Sequence, residues 1–330
     1  MAGEDAPLRL ATRGSALALA QARLVAGMLA GVEPGLRVEL VPVRTSGDER
    51  SDRAGSEAPS GPGPGAGPGD KSRFVKEIEQ ALLAGAADLA VHSAKDVPGE
   101  LPAGLAIVGV PGRADPRDAL CGADSIAALP AGARVGTSSL RRRAQLLAAR
   151  DDLEVDELRG NVDTRLRRLG EGDYDAVVLA LAGLERLGLR AGEPVDAAVI
   201  TPAPGQGCLA LEARTGDARA ADLAAAVTDA DALMTLTAER AVTATLQASC
   251  DTPIGVYAEP DRGGGDVGGG GDGVGELTVA TFVGRPDGSA WLRDEIAGDA
   301  QAPAALGRLA GERLLSAGAA EVLGGEAVER

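Results

Sequence analysis

Aromatic residues are scarce, with one Trp, two Tyr and two Phe in 330 residues. Lysine is scarcer still for its class: only Lys71, Lys76 and Lys95 stand among 33 basic residues, and the rest are arginine. The single histidine, His92, cannot build a multi-histidine metal site. Three cysteines (Cys121, Cys208 and Cys250) lie far apart and form no CxxC pair. That number and spacing argue against a disulfide framework and against a zinc site. No apolar run reaches the ~18 residues that a membrane helix needs. The opening MAGEDAPLRLATRG has no basic-then-apolar export pattern, so a cytoplasmic location is expected. A basic surface is also missing: 49 acidic residues against 33 basic give a net charge of -16, which argues against general nucleic-acid binding.

What is present is an acidic, arginine-for-lysine chain rich in Gly and Ala. Such a surface stays hydrated and exposes few long apolar stems. We read it as salt-adapted, so that the net charge reports the solvent and not the substrate. The length allows two or three domains with sizeable cores.

Short apolar strands alternate with small polar turns and amphipathic helices along the first two thirds. Residues 8–11, 38–43 and 89–92 read as strands, with helices at 16–30 and 74–84. The pattern restarts with strands at 134–135, 155–158 and 176–180 and helices at 140–149, 161–169 and 183–187. This alternation predicts an α/β fold of two doubly wound, parallel lobes. A Pro/Gly-rich stretch at 201–206 and a strand at 208–211 read as a crossing back between them. The last hundred residues follow a different pattern, with a long helix at 230–247, strands at 255–258, 276–283 and 291–296, and a closing helix at 302–317. They predict a small α+β domain. The expected division is residues 1–111 with 203–228 as lobe 1, 112–202 as lobe 2, and 229–330 as the third domain. Two segments are of low complexity. Residues 48–70 read as an insertion or lid in lobe 1, and not as a domain linker. Residues 263–275 loosely resemble one degenerate calcium-binding glycine–aspartate repeat, against the plainer reading of an extended loop.

Arginines fall repeatedly at strand-to-helix turns: Arg13 in ATRGS, Arg141, Arg142 and Arg143 after GTSSL, Arg159 in LRGN, then Arg165 and Arg186. Ligands of open α/β sheets bind beyond the carboxyl ends of the strands, where helix N-termini offer free N–H groups. With hydroxyls from Ser15, Thr137, Ser138 and Ser139, these arginines describe a site for a molecule with several carboxylates, which a planar guanidinium fork matches. Each arginine alone could equally neutralise an acidic shell; their recurrence at equivalent turns favours the site. One member of the 141–143 run must point away, and Arg143 takes that role. Asp96 follows a buried strand in HSAKD and could stabilise a cation or shuttle a proton; an ordinary salt-bridged loop aspartate is the competing reading. His92 reads as a hydrogen-bonded structural residue. Cys121 and Cys208 read as small buried hydrophobes. Cys250, in QASCDTPIG, lies on a polar loop where access is plausible.

Taken in order, LRLATRGSALALAQA, FVKEIEQALLAGAADLAVHSAKDVP, DPRDAL, LPAGARVGTSSLRRRAQL, LRGNVDTRLRRL, YDAVVLALAGLERLGL, PAPGQG, TAERAV and SCDTPIGVYAE resemble the porphobilinogen deaminases over nearly the whole chain. The resemblance implies two periplasmic-binding-protein-like lobes plus an α+β third domain. It implies a transferase of heme biosynthesis that joins four porphobilinogen molecules head to tail, releases ammonia, and frees hydroxymethylbilane by hydrolysis. It further implies a dipyrromethane primer on Cys250, a catalytic carboxylate at Asp96, and primer contacts from Lys95, Ser139, Arg141 and Arg142. By the same resemblance Arg13, Ser15, Arg159, Arg165, Arg186, Asn161 and Gln206 match positions holding substrate or growing chain. The family usually has GGKGLF where this chain has GDKSRF, so Lys71 is kept while its neighbours differ. A monomer is expected. The alternative is a bilobal small-carboxylate binding protein without catalysis, for which Cys250 and the third domain have no use.

Overall fold

A computed structural model describes residues 6–43, 75–249, 251–261 and 275–324. Within these residues the strands form two five-stranded sheets and one three-stranded sheet. The first sheet is built from β1 (Leu8–Arg13), β2 (Val38–Val43), β3 (Leu89–Ser93), β4 (Leu105–Gly109) and a late strand, β10 (Leu209–Arg214), in the order β2-β1-β3-β10-β4. β1 pairs in parallel with β2 and β3, and its Leu8, Leu10, Ala11 and Thr12 are buried, as a strand covered on both faces requires. Helix α1 (Ala16–Val32) starts where the Ser15 hydroxyl accepts from Ala18 N at 3.3 Å. Helix α2 (Lys76–Leu83) packs on the same lobe through Ile78 and Leu82.

The second sheet has the order β7-β6-β8-β5-β9, from β5 (Asp118–Cys121), β6 (Arg134–Gly136), β7 (Glu154–Asp156), β8 (Ala176–Ala180) and β9 (Glu193–Pro194). Helices α3 (Leu140–Ala149), α4 (Val162–Gly170) and α5 (Leu181–Arg186) follow its strands. Both sheets are mixed where the sequence pattern predicts parallel ones. β10 runs antiparallel to β3 and β4, and β5 runs antiparallel to β8. The strands that depart from parallel are those next to the interlobe crossings, and two of them, β4 and β5, are short segments without a readable period. The return strand matters for the site: β10 pairs Leu209 with Ser93, and Ala94 N donates to Cys208 O at 3.1 Å, so the segment before β10 lies against the turn that carries Asp96.

The third sheet is antiparallel, β11 (Ile254–Asp261), β12 (Glu276–Gly284) and β13 (Trp291–Asp299). Helix α6 (Ala218–Ala226) closes the first lobe, and α7 (Ala230–Thr245) and α8 (Pro303–Ser316) pack over the third sheet on Val242, Val256, Val279, Ala310 and Leu314. No helix among the described residues is long and apolar enough to cross a membrane. The segments 48–70 and 263–275 lie outside the described residues, save for Gly275.

Buried Glu239 on α7 joins the three parts. Its carboxylate accepts from Arg113 Nη1 at 2.7 Å, Gly205 N at 2.6 Å and Ala258 N at 2.8 Å. Arg113 and Gly205 belong to the two crossings between the lobes, and Ala258 to β11. An amide accepts on one oxygen only, so Glu239→Gln should leave a buried donor facing a donor. We expect the variant to lose about 2–4 kcal/mol of stability, read as a lower urea midpoint; an unchanged midpoint would show that this carboxylate does not tie the parts together.

Candidate functional site

β3 ends in a single 3-10 turn, Ala94–Asp96, at the carboxyl edge of the first sheet. Asp96 lines a cavity of about 570 Å³ together with Lys95, Ser139, Arg141, Arg142 and Gln206. Ser249 and Asp251 line the same cavity; Cys250 between them lies outside the described residues, as does Lys71. A smaller cavity of about 210 Å³ adjoins it and is lined by Arg13, Ser15, Asn161 and Arg186. Lys95, Arg142 and Arg165 line both. With Ser138, which also lines the larger cavity, the structure thus brings together twelve residues that the sequence singles out. Arg159 is apart from them, exposed and paired with Glu157 at 2.6 Å. Arg143 points elsewhere, as the helix geometry requires, donating to Pro286 O and Val155 O. His92 is a buried structural partner, 2.9 Å from Glu212.

Local structure explains the placement. Ser139 caps α3, so Arg141 and Arg142 fall in its first turn beside the end of β6. Both are about 95 % buried. Between them and β5 sits Asp118, fully buried, with Oδ1 accepting from Arg142 Nη2 at 2.7 Å and Oδ2 lying 2.8 Å from Arg141 Nη2. Burial alone would raise this carboxyl's pKa; attraction to Arg141 and Arg142 outweighs it and holds the group well below the usual carboxylate range. Burial lowers the pKa of Arg141, against the pull of Asp118. Arg165 is lowered to about 10 by burial and by repulsion from Arg142. Burial also lowers Arg186. These groups keep their charge near neutrality, and burial strips away part or most of the water that would otherwise satisfy it. The buried Nε atoms of Arg141 and Arg186 have no hydrogen-bond partner among the described residues. A desolvated cation with an unspent donor is an acceptor site for an anion.

A larger cavity lies elsewhere among the described residues. This groove of about 1340 Å³ is lined by seven carboxylates, Asp196, Asp229, Glu259 and Glu295 among them. Its arginines, Arg113 and Arg117, are paired with Glu239 and Asp115. Charge of that sign repels a polycarboxylate, so size does not decide.

Asp118, Arg240 and Glu239 are functional neighbours that sequence reasoning missed. The one available signal for Asp118 was a charged residue opening the otherwise apolar run DALC. Arg240 lines the larger cavity and donates to Pro98 O and Gly99 O, both at 2.8 Å, holding the loop just after Asp96.

Residues 8–222 match the porphobilinogen deaminase, dipyromethane cofactor binding domain, and residues 233–316 match the porphobilinogen deaminase C-terminal domain. The chain belongs to the porphobilinogen deaminase family. It is a transferase of tetrapyrrole biosynthesis, a hydroxymethylbilane synthase, and its cofactor is dipyrromethane. The fold is mixed α/β, with two five-stranded sheets and a small three-stranded one; the first family match spans both larger sheets and the second spans the small one. Among solved structures, a periplasmic sulfonate-binding protein of an ABC transporter from Methylobacillus flagellatus KT is 16% identical, with 72% of this chain and 68% of that one covered and a TM-score of 0.36. A periplasmic substrate-binding protein of an ABC transporter from Coxiella burnetii is 15% identical, with 71% and 96% covered and a TM-score of 0.40. At such TM-scores these likenesses carry no argument, and the reading as a binding protein without catalysis gains nothing from them. The described residues fit the enzyme's cofactor: a carboxylate-bearing dipyrrole needs buried cations with spare donors, and Arg141 supplies one in a cavity of sufficient size.

Burial raises the Cys121 thiol to about 11 and the Cys208 thiol to about 12. Alkylation requires the thiolate. Iodoacetamide at pH 8 should therefore modify neither residue in the folded enzyme and both in urea, read by peptide mass spectrometry; labelling of either in the folded state would contradict the burial. Because these thiols ionise at higher pH when folded, the stability linked to them is complete below about pH 9 and falls as the pH rises toward 11–12.

Proposed function

We propose that Asp96 is the catalytic carboxylate and that the dipyrromethane is carried on Cys250 through a thioether. The observation that supports this best is one cavity lined both by Asp96 and by the two neighbours of position 250. The raised thiols of Cys121 and Cys208 make them poor nucleophiles by comparison. When bound, the cofactor supplies the pyrrole carbon to which porphobilinogen units are added. Lys95, Ser139, Arg141 and Arg142 hold its acetates and propionates through charge-assisted hydrogen bonds. Arg13, Ser15, Arg165, Arg186 and Asn161, around the smaller cavity, receive the incoming porphobilinogen. Gln206 orients Lys95, 3.2 Å from its Oε1. Arg159 exchanges Glu157 for a carboxylate of the growing chain, and Lys71 belongs to the substrate-binding set on its sequence position alone.

In this reading Asp96 works electrostatically. Departure of ammonia from porphobilinogen leaves positive charge spread over the pyrrole. A fixed carboxylate at the pyrrole N–H stabilises that charge and can hold the proton at that nitrogen. The arginines do no bond chemistry; they fix the reacting carbons by their acid side chains.

The division into lobe 1 (1–111 with 203–228), lobe 2 (112–202) and a third domain (229–330) is part of the same proposal. So is a monomeric, cytoplasmic, salt-adapted enzyme whose partner is porphobilinogen and not nucleic acid, in keeping with the net charge of -16.

Intact-mass spectrometry tests the assignment. The purified protein should exceed its sequence mass by two porphobilinogen units less two ammonia, and Cys250→Ala should abolish the excess. Asp96→Asn should keep the adduct and lose turnover by a factor on the order of 100 or more. A native protein of unmodified mass would refute the cysteine assignment, and normal turnover in Asp96→Asn would refute the carboxylate's role.

A further inference from the structure

We propose that Asp118 is a positioning residue that presets both arms of the site: the arginine pair on one lobe and, through Gln206, the lysine beside Asp96 on the other. The inference rests on the assignment of Arg141 and Arg142 to the cofactor's carboxylates.

Asp118 opens β5 and is inaccessible to solvent. Its Oδ1 accepts from Arg142 Nε at 3.1 Å, Arg142 Nη2 at 2.7 Å and Gln206 Nε2 at 2.9 Å. Its Oδ2 faces Arg141 Nη2 at 2.8 Å. The far side of each fork is fixed by backbone, with Arg141 Nη1 donating to Thr201 O at 2.7 Å and Arg142 Nη1 to Val178 O at 2.9 Å. Both guanidinium planes are therefore set by protein atoms, and the Nε of Arg141 has no hydrogen-bond partner among the described residues. Gln206 carries the effect across the lobes. Its Nε2 donates to Asp118 and to Pro116 O at 2.7 Å, so both amide hydrogens are spent and Oε1 turns to Lys95 Nζ at 3.2 Å.

Two desolvated cations side by side repel each other and would reorient toward any other acceptor. One shared carboxylate removes that freedom before a carboxylate-bearing molecule arrives. The ordering cost then falls on folding and not on binding or turnover. A residue that merely supported the fold would not need to face the site's cations from both of its oxygens.

Asp118→Asn is the test. An amide accepts on one oxygen only, so its NH2 must face either Arg141 or the Arg142–Gln206 pair, donor against donor. Cofactor-loaded molecules are counted by intact mass, and kcat and KM for porphobilinogen are taken per loaded molecule. We expect kcat/KM to fall about tenfold or more, the loss associated with one charge-assisted hydrogen bond, with far-UV circular dichroism unchanged. Wild-type kcat and KM per loaded molecule would overturn the proposal, whatever the yield or melting temperature. Gln206→Met decides the matter if Asp118→Asn does not fold. It leaves Asp118 on the arginines while removing the amide that joins Asp118 and Pro116 O to Lys95, so kcat per loaded molecule should fall about tenfold; an unaltered kcat overturns the relay. Arg141→Gln separates the two levels of the argument. If it leaves occupancy and turnover intact, the assignment of the arginines fails; if it impairs them while Asp118→Asn does not, only the role of Asp118 fails.

Discussion

Two guanidinium groups lie side by side where water does not reach, and a single carboxylate on the neighbouring strand holds them there. Arg141 and Arg142 against Asp118 is the contact around which the rest is arranged. Burying three charges costs free energy, and the Coulomb attraction offsets it only with good geometry and complete hydrogen bonding. Here two backbone carbonyls and the amide of Gln206 add hydrogen bonds, while among the described residues Arg141 Nε has no hydrogen-bond partner and Asp118 Oδ2 meets Arg141 as an ion pair without a hydrogen bond. The pair keeps one net positive charge in a chain that is otherwise strongly acidic. Local sign, not total charge, is what a polycarboxylate meets.

The fold brings the remaining groups to that contact. The first lobe contributes Asp96 and Lys95 from the end of β3. The second contributes the arginines from the start of α3. The return crossing lays Gln206 between them, because β10 runs back antiparallel along β3. The third sheet is held to both crossings through Glu239.

Strand-and-helix alternation made most of the two lobes legible in the sequence, down to α3 and β8 at their observed ends. β4 and β5 escaped because they are only five and four residues long and no helix follows either, so they fall outside the strand–turn–helix repeat that marked β1, β6 and β8. The mixed sheets escaped for a related reason: direction is set by where the chain crosses between lobes, and local pattern does not record it. Arginine at successive βα turns led to the expectation of an anion site, and the structure puts Arg13, Arg141, Arg142, Arg165 and Arg186 around two cavities; the capped first turn of α3 explains why two of the three in the run face inward. Asp118 and Arg240 were missed because their contacts are with partners 24 and 141 to 142 positions distant, and a lone charge opening DALC was too slight a signal for Asp118. Arg159 shows the converse, a residue at the expected turn whose side chain pairs outward with Glu157.

The most direct test of the account is a crystal structure of the enzyme as purified. Density should run continuously from the sulfur of Cys250 into the cavity of about 570 Å³, with carboxylates on Arg141 and Arg142 and a pyrrole N–H facing Asp96. A dipyrrole lying away from Asp96, or carboxylates held anywhere but on those arginines, would contradict it.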